Sequence, residues 1–166
     1  MRYFLGIDPG LHGAMALIDD RGKFLEMIDL PIKRKYTDLD NIKQCIDAPQ
    51  LEHLLSYLIA EYGCVEVYLE DVHGRGGWNA AVSFGLGETV GALRSVIDMV
   101  ELDLTLITPT FWKKYLKLNS DKELVRAYAI KCFPEAAQYL KYKKNHDRAE
   151  ALLIAKYALE INKGFI

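Results

Sequence analysis

The chain has 166 residues and a formal net charge of −2, with 51% hydrophobic and 27% charged residues. This composition is typical of one globular domain with a single sizeable core, so residues 1–166 are predicted to form one domain. No apolar run approaches the ~20 residues that a membrane span requires, and the chain does not begin with a charged and then apolar leader. These features exclude a membrane-spanning protein and favour a cytoplasmic one with no membrane partner. Cys45, Cys64 and Cys132 lack the spacing of metal ligands and are expected to be reduced.

Three short strands are predicted at the start of the chain, at Tyr3–Asp8, Ala14–Asp19 and Phe24–Leu30. The segment "PGLHG" joins the first two and a glycine turn joins the next two, so the three strands form an antiparallel meander. A polar loop is expected to follow as far as Asp47. Leucines at helical spacing then predict an amphipathic helix that ends near Tyr62.

The rest of the chain alternates strands with helices. In order, we predict a strand at 64–71, a helix at 79–100, a strand at 102–107, a short helix at 109–116, a helix from a Ser120–Glu123 capping box to about Phe133, and a last helix at 146–161. Strands separated by helices favour parallel pairing with right-handed crossovers. The expected α/β fold is therefore a mixed five-stranded sheet, an antiparallel meander plus parallel strands, flanked by helices. This arrangement resembles the ribonuclease H-like fold.

Acidic residues are predicted to converge at one edge of this sheet. Asp8 ends the first strand and Glu70 ends the fourth, and parallel neighbours bring such strand ends to the same edge. Asp147 and Glu150 are three residues apart and lie on the inward stripe of the last helix. Taken singly, each acid has another explanation, as a turn former, a strand end or a partner of the helix dipole. Together, four carboxylates would oppose folding unless a cation joined them.

The chemistry of these ligands indicates the cation. Oxygen-only ligands at a shallow rim select Mg²⁺ or Mn²⁺ rather than zinc. Two such ions about 4 Å apart can activate a water and stabilise the leaving oxygen in phosphodiester hydrolysis. We therefore expect two Mg²⁺ ions, with Mn²⁺ as a substitute, and Asp8 between them.

Basic residues are concentrated in one segment although the whole chain is acidic. Residues 111–148 contain ten Lys or Arg against four Asp or Glu, and Lys33, Arg34 and Lys35 form a second basic spot. Such a segment is either a solvated helical surface or a face for phosphates. Four lysines of this segment are the candidate DNA contacts, namely Lys113, Lys114, Lys143 and Lys144.

Two further features follow the fourth strand. The glycine-rich "HGRGG" loop with Arg75 and Trp78 is either a phosphate and base-stacking contact or a plain connection in which Trp78 anchors the next helix. Ser83, Gly87 and Gly91 form a row of small residues. This row predicts close helix packing, either within the core or across a dimer interface.

The motifs "GIDPG", "VYLED" and "HDRAEALLIA" resemble those of RuvC-type Holliday junction resolvases, most closely the branch found in phages and prophages. "TPTFWKK", "DKELVRAYAIKCFPEAA" and "YKKNHDRAEALLIA" follow the same branch, in the same order along essentially the whole chain. The resemblance implies a ribonuclease H-like homodimer that needs Mg²⁺ or Mn²⁺. Such an enzyme makes paired symmetric nicks in four-way DNA junctions and leaves 5′-phosphate and 3′-hydroxyl ends.

The resemblance also implies roles for individual residues. It implies metal binding and catalysis by Asp8, Glu70, Asp147 and Glu150. It places Lys122 near the scissile phosphate and makes His73 or Trp78 the wedge at the junction centre. The fourth acid is Glu where the cellular resolvases have Asp. His146 either shares the work of Asp147 or is a core or capping histidine.

The sequence thus predicts a metal-dependent crossover junction endodeoxyribonuclease, in the host cytoplasm if it is phage-encoded. Its expected partners are branched DNA and a second copy of the chain, and the sequence identifies no helicase partner. Two alternatives stay open. One is another ribonuclease H-like nuclease that acts on RNA or flap structures, and the other is a DNA-binding module whose acids are structural.

Overall fold

A computed structural model describes residues 1–38, 41–72 and 79–163. The strands in these ranges are β1 (Tyr3–Asp8), β2 (Ala14–Asp19), β3 (Phe24–Asp29), β4 (Ile32–Asp38), β5 (Asn41–Ile46), β6 (Val65–Glu70) and β7 (Leu104–Ile107). The α-helices are α1 (Ala48–Tyr62), α2 (Ala80–Met99), α3 (Pro109–Tyr115), α4 (Lys122–Cys132) and α5 (His146–Asn162). Two 3₁₀ segments, Pro134–Leu140 and Lys143–Asn145, lie between α4 and α5. Among the described residues, no helix is both long enough and apolar enough to cross a bilayer.

The central sheet has five strands in the order β3-β2-β1-β6-β7. The short connections between β1, β2 and β3 make these strands antiparallel, while the helical crossovers make β6 and β7 parallel to β1. The predicted mixed sheet is therefore confirmed. Its centre is β1, because an antiparallel partner lies on one side of this strand and a parallel partner on the other.

Alternate residues of the central strands enter two different cores. Leu5 and Ile7 of β1 face the side covered by α1 and α2, where Leu51 and Leu55 are fully buried. Phe4 faces the opposite side, which is covered by α3, α4 and α5. Because side chains alternate along a strand, even-numbered positions of β1 lie on the α5 side of the sheet.

Helix α5 lies unusually close to β1. A Cβ atom built on Gly6 would be 2.2 Å from the carbonyl oxygen of Ala151 and 2.4 Å from the amide nitrogen of Ala155. Only a residue without a side chain permits this approach, so Gly6 fixes how near the helix comes to the sheet.

The predicted polar loop between β3 and α1 is wrong, because this segment forms the two-stranded antiparallel hairpin β4–β5. Three consecutive cations interrupt the first strand, as in "IKRKY", and neither strand has the alternation or the apolar run that marks a core strand. The two strands pair with each other outside the main sheet. Because little of their surface is buried, the sequence lacks the apolar pattern that would predict strands here.

The capping box predicted at Ser120 is also wrong. Asp121 is the N-cap of α4, and its Oδ1 atom accepts hydrogen bonds from the backbone amides of Glu123 and Leu124. The Asn119 side chain in turn accepts a hydrogen bond from the backbone amide of Asp121. A carboxylate one residue further along thus satisfies the amides that the serine was expected to cap. The three cysteines, Cys45, Cys64 and Cys132, are free thiols.

Candidate active site

Strand register places Asp8 and Glu70 side by side. Ile7 of β1 pairs with Leu69 of the parallel strand β6, so the next residue of each strand emerges at the same edge of the sheet. Both of these residues have even numbers, so both side chains lie on the face that α5 covers. Asp8 and Glu70 are 9% and 5% exposed, which is unusual for ionisable side chains.

The first turns of α5 add two more acids to this edge. One carboxylate oxygen from each of Asp8, Glu70 and Glu150 lies within 4.8 Å of the other two. Asp147 lies beside this group and lines a cleft of about 710 Å³ together with Asp8. Its Oδ1 atom is 2.7 Å from Nε2 of His146, so this carboxylate is directed at the histidine rather than at the other three acids.

Helix α3 supplies a partner for each of two acids. The indole Nε1 of Trp112 donates a 2.8 Å hydrogen bond to Oε1 of Glu70, and both residues are buried. The adjacent Lys113 donates a 2.9 Å hydrogen bond from Nζ to Oε1 of Glu150. These contacts orient the carboxylates, and Lys113 neutralises part of their charge. Sequence analysis missed Trp112, whose only signal was its place inside the "TPTFWKK" motif.

The start of α5 is held to the sheet by an ion pair. Arg148 donates two hydrogen bonds of 2.6 Å to the two carboxylate oxygens of Asp29, the last residue of β3. The arginine also donates to the carbonyl oxygen of Tyr139 at 3.1 Å. The guanidinium beside Asp29 lowers the pKa of that carboxyl. Arg148 thereby fixes the helix turn that carries Asp147 and Glu150, a role that sequence analysis did not predict.

Burial and mutual repulsion raise the pKa of two carboxyl groups at this edge, those of Asp8 and Asp147. Burial raises the pKa of Asp8 well above its usual value, and Glu150, Glu70 and Asp147 raise it further, in that order. Burial also raises the pKa of Asp147, although His146 and Lys122 oppose the increase. The metal-free protein therefore carries a site that favours any bound positive charge.

His146 connects this acidic edge to α4. Its Nε2 atom lies 2.6 Å from Nζ of Lys122, the first residue of α4, and 2.7 Å from Oδ1 of Asp147. The unprotonated nitrogen can accept from the lysine, and the protonated nitrogen can donate to the carboxylate, but it cannot do both at once. Lys122 and Asp147 therefore compete for one ring nitrogen.

Lysines surround the acids. A cleft of about 730 Å³ has Glu70 and Glu150 in its lining together with Lys113, Lys114, Lys117 and Lys122. On the other side, Lys144 lines the cleft that contains Asp8 and Asp147. Lys143, one residue earlier, is exposed in the same 3₁₀ turn. An anion that approaches the carboxylates thus meets positive charge from both sides.

Some predicted residues lie elsewhere. His73, Arg75 and Trp78 are outside the described residues. Gly87 and Gly91 are exposed on α2, and a Cβ atom at either would meet no described atom within 4 Å. The row of small residues therefore does not pack inside this chain's core.

The donor atoms of the cluster suit a hard divalent cation. Its three close carboxylates offer only oxygen ligands, which Mg²⁺ and Mn²⁺ prefer. Burial and then repulsion raise the pKa of Asp8, and a cation would offset the repulsion. The cluster could therefore hold a metal ion.

Solved structures of RuvC have the same architecture. Thermus thermophilus RuvC in complex with a Holliday junction substrate matches with a TM-score of 0.63 and 14% identity, over 99% of this chain and 97% of that chain. A second Thermus thermophilus RuvC structure matches with a TM-score of 0.53 and 16% identity, over 98% of this chain and 96% of that chain. No family model and no curated protein matches the chain. The fold is the ribonuclease H-like fold of RuvC.

Proposed function

We propose that this chain is a RuvC-type, metal-dependent endonuclease that resolves Holliday junctions and related branched DNA. It hydrolyses two phosphodiester bonds symmetrically and leaves 5′-phosphate and 3′-hydroxyl ends. The observation that carries the proposal is the group of three carboxylates, Asp8, Glu70 and Glu150, whose oxygens lie within 4.8 Å of one another between two lysine-lined clefts. The RuvC fold supports it, since RuvC has been solved on a Holliday junction.

Two Mg²⁺ ions, or Mn²⁺ in their place, would be held by Asp8, Glu70, Glu150 and Asp147. When bound, such ions supply a water nucleophile at neutral pH and stabilise the leaving oxygen of the phosphodiester. Asp8 is the residue proposed to contact both, because it ends the central strand and faces the other acids. Asp147 would complete the set with its other carboxylate oxygen, within the cleft that it shares with Asp8, while Oδ1 stays on His146.

The chain's own cations complete the proposed chemistry. Lys122 lines both clefts, where its ammonium would offset the charge that develops on the scissile phosphate. While Lys122 contacts a phosphate, Nε2 of His146 is free for Asp147. Lys113 donates to Oε1 of Glu150, and its ammonium would become available to DNA where that carboxylate held a metal ion. His146 is thus proposed to position Asp147 and Lys122.

DNA contacts are proposed on both sides of the acids. Lys113 and Lys114 line one cleft, and Lys144 lines the other with Lys143 next to it. In the chain segment before α2, His73, Arg75 and Trp78 are proposed to probe the junction centre. Such contacts read the shape and the phosphates of the junction rather than its base edges.

A homodimer is proposed because a two-fold junction that is nicked symmetrically needs two equivalent sites. The exposed face of α2 supports this proposal. Gly87 and Gly91 leave room for a close neighbour, and Val82 and Phe84 are 56% and 63% exposed in the same helix. The similarity of the motifs to the phage and prophage branch further suggests an enzyme that acts in a host cytoplasm.

A junction-nicking assay tests the proposal with the full-length wild type and two variants. Asp8→Asn should abolish nicking while junction binding persists, and Asp98→Asn, a matched change at an exposed position of α2, should leave both unchanged. Nicking should require Mg²⁺ or Mn²⁺, and a DNA ligase should reseal the products, since it needs a 5′-phosphate beside a 3′-hydroxyl.

Full nicking by Asp8→Asn would refute the mechanism. If an RNA–DNA hybrid or a flap is cleaved in preference to the junction in a competition assay, that molecule is the substrate and the junction is not. Binding without cleavage in any divalent metal would indicate a non-catalytic DNA-binding module.

A further inference from the structure

The hairpin β4–β5 carries an excess of positive charge. Its two strands pair with each other and not with the main sheet. Its register places Lys35 directly opposite Lys43. Like charges opposite each other destabilise an antiparallel pair, and a two-stranded ribbon has little stability to spare. An anion that binds to the two lysines from solvent would offset the repulsion between them.

Only part of this charge is matched within the chain. Lys33 lies 3.4 Å from Asp47, and Lys43 lies 3.8 Å from Glu88. Arg34 and Lys35 are exposed and have no acidic partner among the residues that the structure describes. In the sequence, the acids of this segment come only after Tyr36.

The hairpin adjoins the acidic edge of the sheet. Leu11, in the turn that follows Asp8, lines the cleft that contains Asp8 and Asp147. The same residue lines a second cleft, of about 1030 Å³, together with Arg34 and Lys43. DNA seated at the carboxylates can therefore continue past Leu11 onto the hairpin.

We infer that the β4–β5 hairpin binds the phosphates of a duplex DNA arm that leaves the acidic site. The inference rests on the proposed function and adds a second DNA surface to it. Duplex DNA suits this surface because unmatched Arg and Lys side chains gain affinity by releasing counterions from phosphates. A two-stranded antiparallel ribbon also has a shape that the major groove admits.

Equilibrium binding of the full chain to DNA tests the inference without cleavage, in Ca²⁺ or EDTA. The test variant is Arg34→Gln with Lys35→Gln. The control is Arg21→Gln with Lys23→Gln, which makes the same change in charge at exposed positions of the β2–β3 turn, at the opposite end of the sheet. Each protein is titrated with a four-way junction and a linear duplex over a range of salt concentrations, and thermal melts check that every variant is folded.

We expect the test variant to bind both DNAs roughly 5- to 30-fold more weakly, as two exposed ion pairs of about 0.5–1 kcal/mol each would give. The slope of log affinity against log salt should fall by about 1.8, at ~0.9 per lost phosphate contact. The control should match the wild type in both respects.

Three outcomes overturn the inference. The first is an affinity and salt slope of the test variant equal to those of the control. The second is a change in the sedimentation of the DNA-free test variant, which would make the hairpin a contact between copies of the chain. The third is a wild type that binds neither DNA. If the wild type binds duplex through the hairpin but never nicks a junction, the proposed function fails and the hairpin surface stands.

Discussion

Replacing Asp8 with Asn should make the metal-free protein more stable, although the change removes the residue on which the proposed chemistry depends. Two unit charges at 4.8 Å, the outer limit of the acidic cluster, repel by about 3.5 kcal/mol at an effective dielectric constant of 20. Asp8 faces Glu70 and Glu150 at this distance or less. Partial protonation already relieves some of the repulsion, because the pKa of Asp8 is raised. We therefore expect the free energy of unfolding to rise by about 2 kcal/mol, which for a chain of this size is a Tm increase of roughly 4–8 °C.

Both pH and metal should change this difference in a defined direction. The Asp8 pKa is higher in the folded than in the unfolded state, so the penalty of its charge is complete only above the folded pKa. As pH falls toward the ordinary Asp value of 3.8, both states take up the proton and the advantage of the Asp8→Asn variant should vanish. Mg²⁺ at ten times its dissociation constant should stabilise the wild type by about 1.4 kcal/mol and the variant far less.

Thermal melts in EDTA and in Mg²⁺, from pH 7 to pH 4, measure these effects, with Asp98→Asn as the matched surface control. A variant that is less stable than the wild type in EDTA at pH 7 would refute the reasoning. So would an Mg²⁺-dependent increase in Tm of equal size in the two proteins, because the cluster would then not be where the metal binds.

Three other substitutions test the supports of the site. Gly6→Ala should lower the free energy of unfolding by about 3 kcal/mol or more in urea titrations, because its Cβ would overlap the backbone of α5, and a normal midpoint would contradict that packing. Trp112→Phe should cost about 2 kcal/mol and weaken Mg²⁺-dependent stabilisation, since Glu70 loses a buried hydrogen bond; unchanged Mg²⁺ titrations would show that the indole does not orient the carboxylate. Arg148→Gln should cost at most about 1 kcal/mol at pH 7, because Asp29 is partly exposed and the ion pair is screened. The pKa of Asp29 is lowered in the folded state. The loss of stability should therefore be complete above the ordinary Asp pKa and should disappear as the pH falls through the lowered pKa of the folded state. A loss that does not depend on pH would exclude the ion pair as its source.

Periodicity and connection length were enough to predict the main sheet. Short turns made the first three strands antiparallel, and helical crossovers made the later two parallel. The same reasoning brought Asp8 and Glu70 to one edge, because parallel neighbours end together. The inward stripe of the last helix added Glu150. These predictions succeeded because each follows from local spacing combined with the general rules for connecting and pairing strands.

The features that were missed depend on contacts between distant segments. Nothing in the spacing of "TPTFWKK" shows that Trp112 reaches Glu70, 42 residues earlier in the chain. The pairing of Arg148 with Asp29 spans 119 residues. The β4–β5 hairpin was missed for a different reason, since its strands bury little and leave no apolar pattern. Sequence alone brought Asp8, Glu70 and Glu150 to one edge, and the tertiary structure was needed to find what orients them.

Helix α3 has only seven residues, but it contacts two of the clustered acids and lines a neighbouring cleft. Its residue Trp112 donates a hydrogen bond to Glu70 of β6, and the next residue, Lys113, donates one to Glu150 of α5. The next residue, Lys114, lines the neighbouring cleft. Any tilt of α3 would alter the spacing of both acids and the position of the cleft wall in a single movement. The proposed contact of this helix with DNA and the proposed binding of metal ions by the two acids would therefore change together.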